Sequence, residues 1–236
     1  MTTFQLKALA LLLMVIDHIG YYFDGAPDLL RLIGRLSFPL FLFCMVQGWR
    51  HTRNRKKYLL RLYGMSLVMS GIMHFAGAGY GNHNIFITMF WVGVLISAAE
   101  LFQKDFRQGC MAYGLIAVSQ ILFQSVRNLI PALSSLSGDI LCGILPSPLS
   151  CEYGIPYVLL GIAMYFLWDN RAGFCAAYLM AALLEFCNND PQCLIVLALP
   201  LMLRWNGEKG PGCKWFFYLF YPAHTLALFL LSSRFR

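Results

Sequence analysis

Hydrophobic runs of roughly 16 to 21 residues follow one another along most of the chain, each closed by a polar or Gly/Pro break. They fall at about 4–23, 29–49, 58–76, 85–102, 109–127, 152–168, 172–187, 192–204 and 215–232. A bilayer core needs about 20 apolar residues at about 1.5 Å per residue. The pattern predicts an all-α polytopic transmembrane helix bundle of about nine spans (eight to ten), forming a single domain over residues 1–236. The run at 192–204 is the shortest. Residues 128–151, NLIPALSSLSGDILCGILPSPLSC, are apolar but broken by three prolines and two glycines. They read as an outer loop with a re-entrant helix; were they to span, every later orientation would flip.

Composition agrees. The chain is 59% hydrophobic and 12% charged, where a soluble domain averages about 25% charged. The first run carries one Lys and no small-residue cleavage site, so it reads as a retained helix. The net charge of +7 does not point to nucleic acid. Six of the 18 basic residues lie in WRHTRNRKKYLLR, between Arg50 and Arg61. The positive-inside rule assigns that loop to the cytoplasm, where it can also meet an anionic cofactor or a lipid headgroup. A nine-span chain with a cytoplasmic N-terminus puts thirteen basic residues inside and five outside. Arg234 and Arg236 oppose that bias, which leaves the direction of the last helix open. Cys142, Cys151, Cys187 and Cys193 fall on the outer side, where an oxidising compartment permits disulfides. No Cys/His spacing suggests a metal site.

Ionisable residues inside the runs are the candidates for chemistry, because they are costly there. Asp17 and His18 lie in the first run and Arg31 and Arg35 in the second, joined by a tight turn around Gly25 and Pro27. Counting from the turn, Asp17 and Arg35 reach one depth, roughly 10 Å below the surface. Adjacent helix positions do not face each other, so Asp17 is expected to pair with Arg35 or another basic residue while His18 faces a cavity. His18 is the general-base candidate, with an ordinary pKa near neutrality. Arg31 can snorkel to the surface and takes no role. Pro39 removes the backbone hydrogen bond to the Arg35 carbonyl and predicts a kink. Asn84 reads as an N-cap that could also touch a substrate. His74 and His83 read as loop residues. Glu152 and Tyr153 precede a helix start, where a carboxylate suits the helix dipole. Glu185, Asn188, Asn189 and Asp190 form a polar helix end. His224 follows Pro222 near the middle of the last run, a second candidate for catalysis or proton transfer. The same groups also fit a structural intramembrane network.

The segments LALLLMVIDHIGYYF, LLRLIGRLSFPLFLF, YLLRLYG, GNHNIFIT, EYGIPYVLLGI and FYPAHTLAL, in this order, resemble the TraX family of integral membrane proteins. The resemblance implies kinship with polytopic membrane acyltransferases. It implies acetyl transfer from acetyl-CoA to the N-terminal amine of a pilin or similar small membrane peptide in the bacterial inner membrane, with no metal. Asp17, His18, Arg35, Asn84, Tyr153, His224 and, on the cytoplasmic side, Arg61 match positions in its motifs. In that reading His18 takes a proton from the amine, Asp17 sets the electrostatics, and Arg35 or Asn84 stabilises the oxyanion. His224 binds the thioester or relays protons, and Lys57 and Arg61 receive the CoA phosphates. A proton-coupled transporter or a non-catalytic assembly factor would use the same buried charges differently.

Overall fold

A computed structural model describes residues 1–81, 84–130 and 136–235; His83, Arg236 and the middle of the 128–151 segment lie outside them. Its regular elements are helices: α1 (Thr3–Tyr22), α2 (Asp28–Gly34), α3 (Ser37–His51), α4 (Arg55–Ala76), α5 (Ile85–Lys104), α6 (Phe106–Leu129), α7 (Gly138–Ile144), α8 (Gly154–Leu167), α9 (Arg171–Cys187), α10 (Leu199–Leu203) and α11 (Lys214–Ser232), with 3-10 segments at Ala78–Tyr80 and Pro191–Ala198. Each predicted run corresponds to helix, and the broken 128–151 segment contributes the seven-residue α7.

Six of these stretches are long and apolar enough to cross a membrane: α1, Asp28–His51, α4, α5, α6 and Trp215–Ser232. Helix stands at each of the nine expected positions, but among the described residues only the six are long and apolar enough to count as spans. α8 has 14 residues and α9 has 17, and 192–204 is a 3-10 segment ending in the five-residue α10. Fourteen residues rise only about 21 Å, short of a hydrocarbon core of about 30 Å.

The chain divides into two compact units, one made of Met1–Gly48 with Phe166–Arg236, the other of Trp49–Tyr165. In the first unit, α1 starts at a capping box: the Thr2 hydroxyl accepts from Gln5 N at 3.2 Å, and Thr2 N donates to Gln5 Oε1 at 2.9 Å. Gly25, at φ 81°, supplies the left-handed residue the turn to α2 needs. The second run breaks at Arg35 and Leu36, whose amides close tight turns onto Leu32 O and Ile33 O. Pro39 cannot donate to the Arg35 carbonyl four residues back, so the helix restarts as α3, pinned to α1 by Ser37 Oγ donating to Ala10 O at 2.8 Å.

The N-terminus is tied to the segment before α11. Thr3 N donates to Glu208 O at 2.8 Å, Phe4 N to Lys209 O at 3.1 Å, and Trp205 Nε1 to Thr3 Oγ1 at 3.0 Å. From there α1 and α11 run parallel. Phe4 meets Phe217, His18 meets His224, Tyr22 meets Phe229 and Phe23 meets Phe235, in the same order along both helices. The direction of the last helix, left open by charge, is therefore fixed relative to the first. Phe43, Trp168, Phe174 and Trp205 close the other end of this unit, with centroids 5.1 to 6.3 Å apart.

In the second unit, Asn54 caps α4 through Lys57 N at 2.9 Å, and Asp105 caps α6 through Arg107 N and Gln108 N. α5 packs on α4 and α6, and α4 also packs on α7. Gly93 of α5 admits the Trp49 ring, which a Cβ would meet at 3.0 Å. Met111, Leu115, Val118 and Ile121 on α6 are exposed, as suits a face against acyl chains.

Candidate active site

His18 lies near the C-terminal end of α1 and is 5% exposed; His224 lies mid-α11 and is 9% exposed. Their rings meet directly, His18 Nδ1 to His224 Nε2 at 2.8 Å. The parallel run of the two helices is what brings these positions level. The other nitrogen of His224, Nδ1, lies 2.8 Å from the carbonyl oxygen of Phe220, one turn back. The Phe220 ring stacks on His224 at 5.0 Å and 14°. Tyr22 and Tyr221 flank His18, with centroids at 6.2 and 6.3 Å. Two imidazoles in contact within apolar helices can pass a proton and spread a positive charge over both rings.

Asp17 is separated from this pair, as helix geometry requires, but its partner differs from the leading expectation. Arg31 Nη1 donates to Asp17 Oδ2 at 2.6 Å, so Arg31 does not simply snorkel. Asp17 lies five residues before the end of α1 and Arg31 three after the start of α2. The depth difference is only about 3 Å, which a long guanidinium stem covers. Gly34 carries no Cβ where one would land on the Asp17 side chain, and this brings α2 against α1. Arg35 sits at the helix break, close enough to act electrostatically on Asp17. Its Nε is buried and makes no hydrogen bond.

In the second unit Asn84 stands at the N-cap position of α5, yet its side chain makes no capping bond. Its amide turns instead to α4, with Nδ2 donating to Ser66 O at 3.2 Å, Ser66 Oγ at 3.0 Å and Ser70 Oγ at 3.4 Å. Ser66 Oγ donates in turn to Gly143 O at 3.1 Å. A buried amide satisfies more donors against α4 than it would at its own helix end. Arg61 lies half-buried over the Tyr58 ring at 5.4 Å, and its Nε is buried without a hydrogen bond. Lys57 is exposed. Tyr153 lies in the turn before α8, edge-on to Tyr157 at 5.2 Å.

Sequence reasoning missed a cluster near the basic loop. Arg55 pairs with Glu100, the Tyr165 hydroxyl donates to Glu100 Oε1 at 2.5 Å, and Arg55 Nη2 donates to the Tyr165 oxygen at 3.1 Å. Arg55 also lies over Trp49, and Trp49 stacks on Tyr58. Glu100 is the one carboxylate of the fourth run, and that was its available signal. A cavity of about 460 Å³ is lined by Met73, His74, Gly77, Ser137 and Asp139, among others. Burial raises the Asp139 carboxyl pKa there, against the pull of Arg127. All eight cysteines are free thiols. Among the described residues no three His, Cys, Asp or Glu side chains converge as metal ligands.

The family model described as TraX protein matches residues 3–232. The chain belongs to the TraX family. It is 29% identical to "Probable fimbrial assembly protein FimC, serogroup H1" of Dichelobacter nodosus, over 96% of this chain and 94% of that one. It is 35% identical to "Protein TraX" of Escherichia coli over 34% of this chain and 33% of that one. No solved structure matches it. As a TraX-family protein with six helices, among the described residues, long and apolar enough to cross a bilayer, it is a membrane protein.

Proposed function

We propose that this TraX-family protein is an acetyltransferase of the bacterial inner membrane, with its N-terminus cytoplasmic. It would move acetyl from acetyl-CoA to the N-terminal amine of a pilin or a similar small membrane peptide. The observation that carries the reading is the buried His18–His224 pair, found in a chain similar over nearly its full length to a protein named for fimbrial assembly. The amine nitrogen attacks the acetyl carbonyl carbon, an N–C bond forms, the C–S bond to CoA breaks, and His18 takes the amine proton. The proton then serves the departing thiolate.

Asp17 is committed to Arg31, so it does not compete as the base. Of the two oxyanion candidates, Asn84 already spends its amide protons on α4, whereas Arg35 Nε has a buried N–H with no acceptor. Arg35 is thus the better donor to a developing oxyanion. Lys57 and Arg61 on α4 suit the phosphates of CoA, and Tyr153 remains a substrate-contact candidate. A non-catalytic assembly role is the second reading, favoured by the relative's name.

The test uses purified protein in nanodiscs with labelled acetyl-CoA and a peptide bearing a free N-terminus. Transfer by the wild type and its loss in a folded His18→Ala variant are the expected results. Absence of acetyl-CoA binding by the wild type would leave the assembly reading.

A further inference from the structure

The hydrogen bonds around His224 determine where the protons sit. We infer that His224 is a positioning residue that fixes the tautomer of His18, so that His18 Nε2 is the nitrogen that takes the substrate proton; this rests on the acetyltransferase reading above. A carbonyl oxygen only accepts, so at the 2.8 Å contact His224 Nδ1 is the donor to Phe220 O. In a neutral ring the other nitrogen then carries a lone pair, which makes His224 Nε2 an acceptor. The 2.8 Å bond to His18 therefore takes its proton from His18 Nδ1. The lone pair of His18 falls on Nε2.

The chain Phe220 O, His224, His18 resembles a nucleophile–base–orienter array in logic, with a backbone carbonyl and a neutral ring where a carboxylate usually stands. Its ends are held by packing. Phe220 stacks on the His224 ring, and both come from one turn of α11, two residues before and two after Pro222. When His18 Nε2 gains the amine proton, the imidazolium keeps its Nδ1–H bond to His224 Nε2, which becomes charge-assisted and stronger. The proton on Nδ1 can also cross to His224, whose own Nδ1–H stays on the Phe220 carbonyl. The His18–His224 and His224–Phe220 bonds persist in either state. The Tyr22 and Tyr221 phenols face His18 within this unit, and the Asp17 carboxylate pairs with Arg31.

Solid-state NMR of the membrane-reconstituted full chain reads the tautomers directly, and five histidines make assignment by single His→Gln variants practical. At pH above the imidazole titration, His18 is expected protonated at Nδ1 and bare at Nε2, and His224 likewise. In His224→Ala the His18 signal should shift toward the Nε2–H form that free histidine prefers. A wild-type His18 protonated at Nε2 overturns the inference. In acetyl transfer, His224→Ala should lower kcat about 10- to 100-fold with little change in KM, as for a lost supporting partner. His224→Gln, which keeps an acceptor oxygen near His18 Nδ1, should recover part of that loss. Its kcat/KM–pH profile should also move from that of the wild type. Unchanged activity and pH profile in a folded His224→Ala overturn the role. If the wild type transfers no acetyl, the acetyltransferase reading fails by itself, and the NMR result still decides the tautomer.

Discussion

Gly34→Ala tests the contact that joins α1 to α2. The added Cβ would stand 2.6 Å from Asp17 Cγ and nearer still to Asp17 Cβ. Carbon atoms in contact sit about 3.5–4.0 Å apart, so the helices must part by about 1 Å or more. The Arg31–Asp17 hydrogen bond, 2.6 Å long, would stretch to roughly 3.6 Å, past hydrogen-bonding range. Overpacking costs about 1–3 kcal/mol, and a hydrogen bond to a charged group contributes about 1.5–3 kcal/mol. The two side chains remain 27% and 18% exposed, so water recovers part of the second loss. The sum falls near 3 kcal/mol, a large share of a typical stability of about 5–15 kcal/mol. For a chain of this length that lowers Tm by about 6–12 °C. Thermal melts of purified protein in one detergent, read by circular dichroism, measure it, with Gly71→Ala as the control. Gly71 has nothing within 4 Å of its would-be Cβ, and alanine there should be neutral or slightly stabilising. The nearest clash is with a Cβ that moves only with the α1 backbone, so Asp17→Ala should not rescue Gly34→Ala. A Gly34→Ala protein that melts with the wild type refutes the close approach.

Other outcomes follow from the same geometry. Tyr165→Phe removes the hydroxyl shared by Glu100 and Arg55 and should destabilise by about 1–2 kcal/mol in detergent unfolding. Cys142 is buried, its thiol pKa pushed up to about 12 chiefly by burial, and Cys151 is buried as well; both should resist alkylation in folded protein at neutral pH, while exposed Cys187 reacts. Because α1 and α11 run parallel, Cys213 should label with an impermeant maleimide from the same side as an N-terminal tag, and a Ser233→Cys variant from the opposite side. Labelling of Cys213 and the tag from opposite faces would contradict the helix pairing.

Hydropathy located the helices well because a membrane protein hides its backbone only inside helices and marks them with long apolar runs. The break near Arg35 was legible in Pro39, since the missing N–H acts on a fixed position four residues back. Length alone was a poorer guide to the later runs, where apolar composition continues through turns and 3-10 segments at 191–198. Partners were less legible than positions. Depth counted from a turn treats side chains as points, and so it favoured Arg35 over Arg31, whose reach and the Gly34 contact decide the pairing. Asn84 had the right residue type for a cap, but Ser66 and Ser70, eighteen and fourteen residues away in sequence, compete for its amide. The nearness of His18 to His224 depends on α1 and α11 lying parallel, which backbone bonds between Thr3, Phe4 and the 208–209 strand of loop establish. No local pattern encodes that.

The two imidazoles stand 206 positions apart in the chain, and the unit that holds them is interrupted by the whole of Trp49–Tyr165. During synthesis His18 therefore emerges 206 residues ahead of its partner. A contact of such long sequence separation closes late in folding, so the two rings meet only after the intervening helices have been made. A chain cut before α11 can insert its other helices and still hold only one ring of the pair.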